Sequence, residues 1–388
     1  MALNQTTQVL PNPPTLTSAA KLGRRDAAID TIRGVCIVLM TVSHLAEGTV
    51  VDKVLHPAPW VDGASGFVLM SGLVLGLVQP GRISRVGLRG AEIQLARRAL
   101  LLYVIHVSTV FLALGAGSLA PTVDRFPHTG DHGGWPGTVA ATLLLQVNPA
   151  DIDILSLYVI LLLSAMVAAA LLARGLAWLV ALASIALYVV ASTIPAAFTL
   201  PIGEGHLSKF NWGAWQLLFL SAFVVGWFWK KRNLREVLAS RGAFTLAAGL
   251  WFVVTLVGVL FARFGLAPAI QPALTQAYYD KTDQGLGRFV LSWVAFVTIY
   301  AGLTWLMRRR ALRALAPVER LGKRSLAAFV VLTVITVLVP LIAGHEVDGP
   351  LSIAIAAAAL LTMYTYVLLR YGRERVPSTV VPEQAPAR

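Results

Sequence analysis

Four ionisable residues lie within one apolar stretch near the start of the chain: Asp30, Arg33, His44 and Glu47. An ionised side chain at the centre of a bilayer costs about 2.5–3.5 kcal/mol on insertion scales, so a residue of this kind indicates a functional site. A histidine can act as a general base when a second group holds its imidazole. Glu47 follows His44 by three positions and is one candidate for that second group.

Helical spacing places these residues along one groove. His44 follows Arg33 by eleven positions, which return to the same helix face about 16 Å further along. Asp30 precedes Arg33 by three positions and can form an ion pair with it. Structural roles are also available, because Arg33 can extend to a lipid headgroup and His44 can hydrogen-bond between helices. The position of His44, well inside the span, favours catalysis over packing.

The composition is that of a membrane protein. Of the 388 residues, 57% are hydrophobic and 13% are charged, and the mean hydropathy is +0.72. These values predict an all-α polytopic membrane protein with about ten transmembrane helices. The hydrophobic segments are residues 29–47, 61–80, 98–117, 153–172, 175–197, 213–229, 243–262, 288–307, 325–343 and 351–369.

Charge supplies the predicted orientation. Most of the 32 Lys and Arg residues lie in alternate connecting segments, which are therefore cytoplasmic, as are both termini. We predict a multi-pass protein of a bacterial inner membrane, with a cytoplasmic tail (1–27), a membrane-embedded domain (28–371) and a disordered cytoplasmic tail (372–388). The net charge of +13 then reflects contacts with membrane lipid and not nucleic-acid binding. A single cysteine, Cys36, excludes a disulfide framework.

The second predicted helix begins at Asp62, which is another candidate to hold His44. Small residues at 63–66 and 71–72 predict close approach to a neighbouring helix, and Ser71 is a candidate substrate contact. On the cytoplasmic side, three arginines could clamp phosphate through their bidentate forks: Arg89, Arg97 and Arg98. Arginines at a cytoplasmic helix end are also what membrane topology requires.

Other polar groups could contact a substrate. Tyr103 and His106 lie at membrane depth in the third predicted helix, where His106 could line a cavity or bond a carbonyl. Four residues at the outer start of the sixth predicted helix could form a sugar-stacking platform, or an interfacial aromatic belt: Asn211, Trp212, Trp215 and Gln216. The loop histidines His128 and His132 lie near two aspartates, but flexible loops hold such clusters by chance and we predict no metal site.

Several ordered motifs carry a family resemblance. They are AIDTIRG at 28–34 followed by the serine and histidine at 43–44, FVLMSG at 67–72, ARRALLLY at 96–103, DILSLYVILL at 153–162, FNWGAWQLLF at 210–219 and LGKRSL at 321–326. In this order they resemble the OpgC branch of the transmembrane acyltransferase-3 superfamily. The resemblance covers nearly the whole membrane region.

This resemblance implies an enzyme that moves an acyl group from cytoplasmic acyl-CoA to a hydroxyl of a glycan on the outer side. The named activity of this branch is succinylation of periplasmic glucans. We expect succinyl-CoA or acetyl-CoA as the donor substrate and no bound cofactor. It makes His44 the catalytic histidine, Arg33 its partner, and Arg97 and Arg98 the basic motif at the CoA side. Position 65 is serine where an acidic residue is expected, which leaves Asp62 or Glu47 as the outer carboxylate.

Other functions remain open. A transporter or flippase for an anionic or acylated substrate could use Asp30, Arg33 and His44 as a proton relay, and a non-catalytic scaffold would tolerate their substitution. If the donor is succinyl-CoA, its free carboxylate needs a cation, for which Arg33, Arg263 and Arg288 are candidates. Consumption of acyl-CoA by membranes separates an enzyme from a transporter.

Overall fold

The protein is described from a computed structural model. The structure describes residues 26–56, 60–121, 126–149, 151–203, 206–264, 279–308, 313–343 and 349–372, so most of both predicted tails lies outside it. The helices are α1 (Ala27–Leu45), α2 (Val50–Leu55), α3 (Gly63–Leu119), α4 (Trp135–Leu143), α5 (Asp153–Ala173), α6 (Ala177–Thr193), α7 (Trp212–Phe228), α8 (Leu234–Leu238), α9 (Arg241–Phe264), α10 (Leu286–Arg308), α11 (Ala316–Lys323), α12 (Ser325–Ala343) and α13 (Pro350–Tyr371).

A helix covers each of the ten hydrophobic segments, which confirms the all-α membrane class. The second and third segments form one run, α3, which Gly87 interrupts with a φ of 73°. Among the described residues, six helices are long and apolar enough to span a membrane, and α6, α7 and part of α9 are shorter apolar helices. The protein is therefore a multi-pass membrane protein, while the number of ten spans and the orientation stay predictions.

One short hairpin departs from the all-helical expectation. Strands β1 (Thr199–Gly203) and β2 (His206–Asn211) pair antiparallel. The backbone N–H of Asn211 donates to the carbonyl of Thr282, 2.9 Å away, and so the hairpin is tied to the segment before α10. The sequence analysis predicted no strand in this region. The two strands have only five and six residues and lie between two apolar helices.

Glycines let the central helices touch backbone to backbone. A Cβ at Gly72 or Gly76 of α3 would collide with carbonyl oxygens of α7, and a Cβ at Gly226 of α7 would collide with a carbonyl of α3. Gly63, at the start of α3, meets the α1 backbone at Cys36 and Met40, and Gly66 meets the Cys36 sulfur. The predicted small-residue face is confirmed, because it packs against α1 at one end and α7 at the other.

A second glycine contact joins α1 to α11. A Cβ at Gly34 would overlap the carbonyl of Val318, and a Cβ at Gly322 would overlap the carbonyl of Asp30. The motifs AIDTIRG and LGKRSL, nearly 300 positions apart, are therefore in direct contact. Ser325, the first residue of α12, follows this contact and lies beside Arg33.

Replacing Gly76 by alanine should destabilise the protein, because overpacking a tight interior contact costs about 1–3 kcal/mol. Gly115→Ala is a matched control on the same helix, since a Cβ there has no atom within 4 Å. The measurement is the melting temperature of both purified variants in detergent. Equal melting temperatures would contradict the α3–α7 contact.

Candidate active site

His44 lies against an acidic residue that the sequence did not single out. Its Nδ1 lies 2.8 Å from Oδ1 of Asp151, and both side chains are partly shielded, with 22% and 8% of their surface exposed. Asp151 is the first acidic residue after Gly137 and stands two residues before α5. The pair leaves Nε2 of His44 available to accept a proton.

Asp151 has an unusual backbone conformation. Its φ is 70°, a left-handed value that few residues other than glycine adopt. Such a conformation costs of order 1–3 kcal/mol and persists where the surroundings enforce it, often at functional sites. The carboxylate of Asp151 is thus directed at His44 by a strained turn.

The turn that carries Asp151 is anchored on both sides. The Asn148 side-chain amide donates to the carbonyls of Leu145 and Pro201, each at 2.7 Å, and so ties the turn to β1. His106 is fully buried and lies against the backbone of Val147 and Ile152. His106 therefore lies beside the turn that carries Asp151, and its role stays a prediction.

Both sequence-based candidates to hold His44 are wrong in this geometry. Glu47 is exposed in the turn after α1. Asp62 instead binds two cations, with Oδ2 at 2.8 Å from Arg288 Nη2 and 2.8 Å from Lys281 Nζ. Sequence spacing alone favoured local carboxylates, whereas the actual partner comes from another helix.

The Asp62 cluster lies at the N-terminal end of α3. Asp62 caps the helix by accepting a hydrogen bond from the Ser65 N–H at 2.8 Å, and Ser65 Oγ accepts from Arg288 Nε at 3.3 Å. Burial alone would raise the pKa of Asp62, which stands just before the span, but Lys281 and Arg288 hold that pKa well below its usual range. Arg288 is thus engaged and does not receive an anionic substrate group, while the Arg263 side chain lies outside the described part.

The predicted ion pair at the other end of α1 is confirmed. Arg33 Nη1 lies 3.7 Å from Asp30 Oδ1, and Arg33 Nη2 donates to Ser325 Oγ at 2.6 Å. Asp30 and Ser325 are almost fully buried, at 5% and 1% exposure. Arg33 is therefore held inside the bundle, which excludes an extended position at a lipid headgroup.

A small cavity lies beside Arg33. Its polar lining consists of Ser71, Arg98, Tyr158 and Ser325, and its apolar lining consists of Phe67, Leu102, Leu155, Leu326 and Phe329. The Tyr158 hydroxyl donates to Ser71 Oγ at 3.3 Å. Tyr158 was missed from the sequence, although it is the only phenol in the apolar DILSLYVILL motif.

The three predicted clamp arginines are not together. Arg89 and Arg97 are exposed, whereas Arg98 points into the cavity and is only partly exposed. Arg97 and Arg98 are neighbours in sequence, so a helical rotation of about 100° separates their directions. The expected three-arginine clamp is divided between the protein surface and the interior.

The residues predicted to form a sugar-stacking platform do not form an exposed surface. Asn211, Trp215 and Gln216 are buried, at 0–1% exposure. Their polar atoms are satisfied within the protein: Trp215 Nε1 donates to the carbonyls of Lys281 and Thr282, and Gln216 bonds Ser184. These residues hold the segment before α10 in place.

Two further candidates make structural contacts. Trp212 is half-buried and packs on Phe198 with ring centroids 5.0 Å apart. The Tyr103 hydroxyl donates to the carbonyl of Leu143 at 2.8 Å, which connects α3 to α4. In the described part of the chain, no group of three or more His, Cys, Asp or Glu residues is arranged to hold a metal.

The comparisons with known proteins identify a family. A family model described as OpgC protein matches residues 25–374, a range that includes the His44–Asp151 pair and the Arg98 cavity. No curated protein and no solved structure matches the chain.

Asp62→Asn should destabilise the protein by about 3 kcal/mol, because it leaves the buried Arg288 without a full counter-charge. Glu319→Gln is the control, since its pair with Lys323 lies within one helix at the surface and contributes within about 1 kcal/mol. Adding Arg288→Met to Asp62→Asn should recover part of the loss. Equal thermal stability of the two single variants would contradict the buried cluster.

Proposed function

Since this chain belongs to the OpgC protein family, we propose that it is an O-acyltransferase that moves an acyl group from acyl-CoA to hydroxyl groups of a periplasmic glucan. The family indicates a membrane enzyme that modifies such glucans. In this proposal the acyl group is succinyl or acetyl, the donor comes from the cytoplasm, and the enzyme lies in the inner membrane. The observation that carries the proposal is the His44–Asp151 pair.

The pair provides the elements of a general base. Asp151 accepts the hydrogen on Nδ1, so Nε2 of His44 carries the free lone pair. Nε2 removes the proton from a glucan hydroxyl while the hydroxyl oxygen attacks the thioester carbonyl. The carboxylate of Asp151 stabilises the imidazolium that forms.

The second half of the reaction returns the proton. The tetrahedral intermediate collapses, the carbon–sulfur bond breaks, and the CoA thiolate takes the proton from His44. The products are the glucan ester and CoA thiol, so atoms and charge balance without a metal or redox partner. Direct transfer to the hydroxyl is the simplest course that this arrangement supports.

The donor would approach from the opposite end of α1. Arg89 and Arg97 are exposed there and are suited to the phosphates of CoA. The cavity beside Arg33 is deeper and mainly apolar, which suits the acyl part. Arg33 lies about 16 Å from His44 along the helix, so the donor must extend through the bundle.

The test is mass spectrometry of periplasmic glucans from a deletion strain that carries either the wild-type gene or the His44→Ala variant. Wild type should restore an acyl mass increment, and its size identifies the acyl group. Because general-base catalysis contributes about 10²–10⁴-fold, the variant should reduce the modification to trace levels. Full modification by His44→Ala would contradict the assigned base, and an unmodified glucan in both strains would favour a transporter.

The role of Asp151 gives a separate prediction. Asp151→Asn keeps the size of the side chain but favours the wrong imidazole tautomer, so acyl transfer in membranes should fall about 100-fold or more. Glu47→Gln, at the exposed acid that sequence spacing suggested, should stay within about twofold of wild type. Acyl transfer from labelled acyl-CoA measures both. A larger loss for Glu47→Gln than for Asp151→Asn would return the role to Glu47.

A further inference from the structure

Arg98 is a half-buried cation for which the part of the chain that the structure describes shows no ion pair. Its Nε is shielded from solvent and makes no hydrogen bond there. The side chain lines the cavity with Ser71, Tyr158 and Ser325. An unpaired charge that is largely shielded by the protein is costly, so a group of this kind indicates a ligand.

The charges around the cavity define the ligand. Asp30 balances Arg33 through their ion pair, which leaves the charge of Arg98 uncompensated. Arg33 and Arg82 both act on Arg98 electrostatically and make the surroundings more positive. The cavity is therefore suited to a compact anion.

The lining indicates which anion. Five of the nine lining residues are apolar: Phe67, Leu102, Leu155, Leu326 and Phe329. A short hydrocarbon chain can lie against them while a charged end meets Arg98 and accepts a hydrogen bond from the Ser71 hydroxyl, whose oxygen accepts from Tyr158. A phosphate, with two charges and strong hydration, is better served by the exposed Arg89 and Arg97.

We propose that Arg98 binds the terminal carboxylate of a dicarboxylic acyl group and so selects this donor over a simple acyl group. This inference rests on the proposed function. It gives Arg98 a different ligand from the CoA phosphates that its sequence motif implies. A bidentate contact between guanidinium and carboxylate gives both charge and geometric recognition, which an uncharged acyl end cannot use.

The experiment measures kcat/KM for succinyl-CoA and acetyl-CoA with purified full-length protein and glucan. Arg98→Gln should lower the succinyl-to-acetyl ratio of kcat/KM about 100-fold, as expected when one partner of a buried charge pair is removed. Arg97→Gln, the exposed neighbour, should change both donors by the same factor and keep the ratio. Arg98→Lys should restore part of the ratio, and an unchanged ratio in Arg98→Gln would overturn the proposal.

A binding measurement separates this proposal from the proposed function. Monomethyl succinate, which carries one free carboxylate, should raise the melting temperature of the wild-type protein and not of Arg98→Gln, whereas methyl propionate should raise neither. If monomethyl succinate stabilises the wild-type protein but no acyl transfer is detected, the carboxylate site is supported and the proposed enzyme activity is contradicted. Stabilisation of wild type by inorganic phosphate but not by monomethyl succinate would overturn the site.

Stability provides a further check that the variant folds. Arg98→Gln removes an unpaired charge, so the unliganded variant should melt at the same temperature as wild type or higher. A large fall in melting temperature would show that Arg98 has a structural partner, and would contradict a vacant anion site.

Discussion

The backbone contact between α1 and α11 is the constraint on which the rest of the Arg33 end depends. Gly322 meets the carbonyl of Asp30, and Gly34 meets the carbonyl of Val318, so any larger side chain would force the helices apart. This contact places Ser325 within 2.6 Å of Arg33. It thereby explains in physical terms why the AIDTIRG and LGKRSL motifs occur together, since each is one half of a single packed unit.

The His44 end depends on a different kind of constraint. Here a strained turn, fastened by Asn148 to Leu145 and Pro201, directs Asp151 at the imidazole. Glycine packing fixes the position of α1, and the turn then supplies the carboxylate from the neighbouring helix. In the proposed function, the charged groups of α1 therefore act at two levels, with an anion-binding cavity near Arg33 and a base near His44.

Local features could be predicted from the sequence. The helices follow from apolar segments of membrane length, the Asp30–Arg33 pair follows from i,i+3 spacing, and the glycine face follows from its composition. Each of these depends on residues that are close in the chain. The motifs also identified the family, because their order along the chain can be read without knowing which residues are in contact.

Long-range contacts could not be predicted in this way. Asp151 reaches His44 from the turn before α5, and Lys281 and Arg288 reach Asp62 from the turn before α10 and from α10 itself. Trp215 and Gln216 look suited to a sugar, but burial turns their polar atoms toward the protein. The sequence does not distinguish the neighbouring arginines Arg97 and Arg98. Only the orientation of α3 about its axis shows that Arg98 lines the cavity and Arg97 does not.

The most direct measurement is an experimental structure of the protein with a non-reactive thioether analogue of succinyl-CoA. The account predicts that the acyl end occupies the cavity lined by Ser71, Arg98 and Tyr158, with its carboxylate on Arg98. An analogue that binds elsewhere, with its carboxylate away from Arg98, would contradict the account.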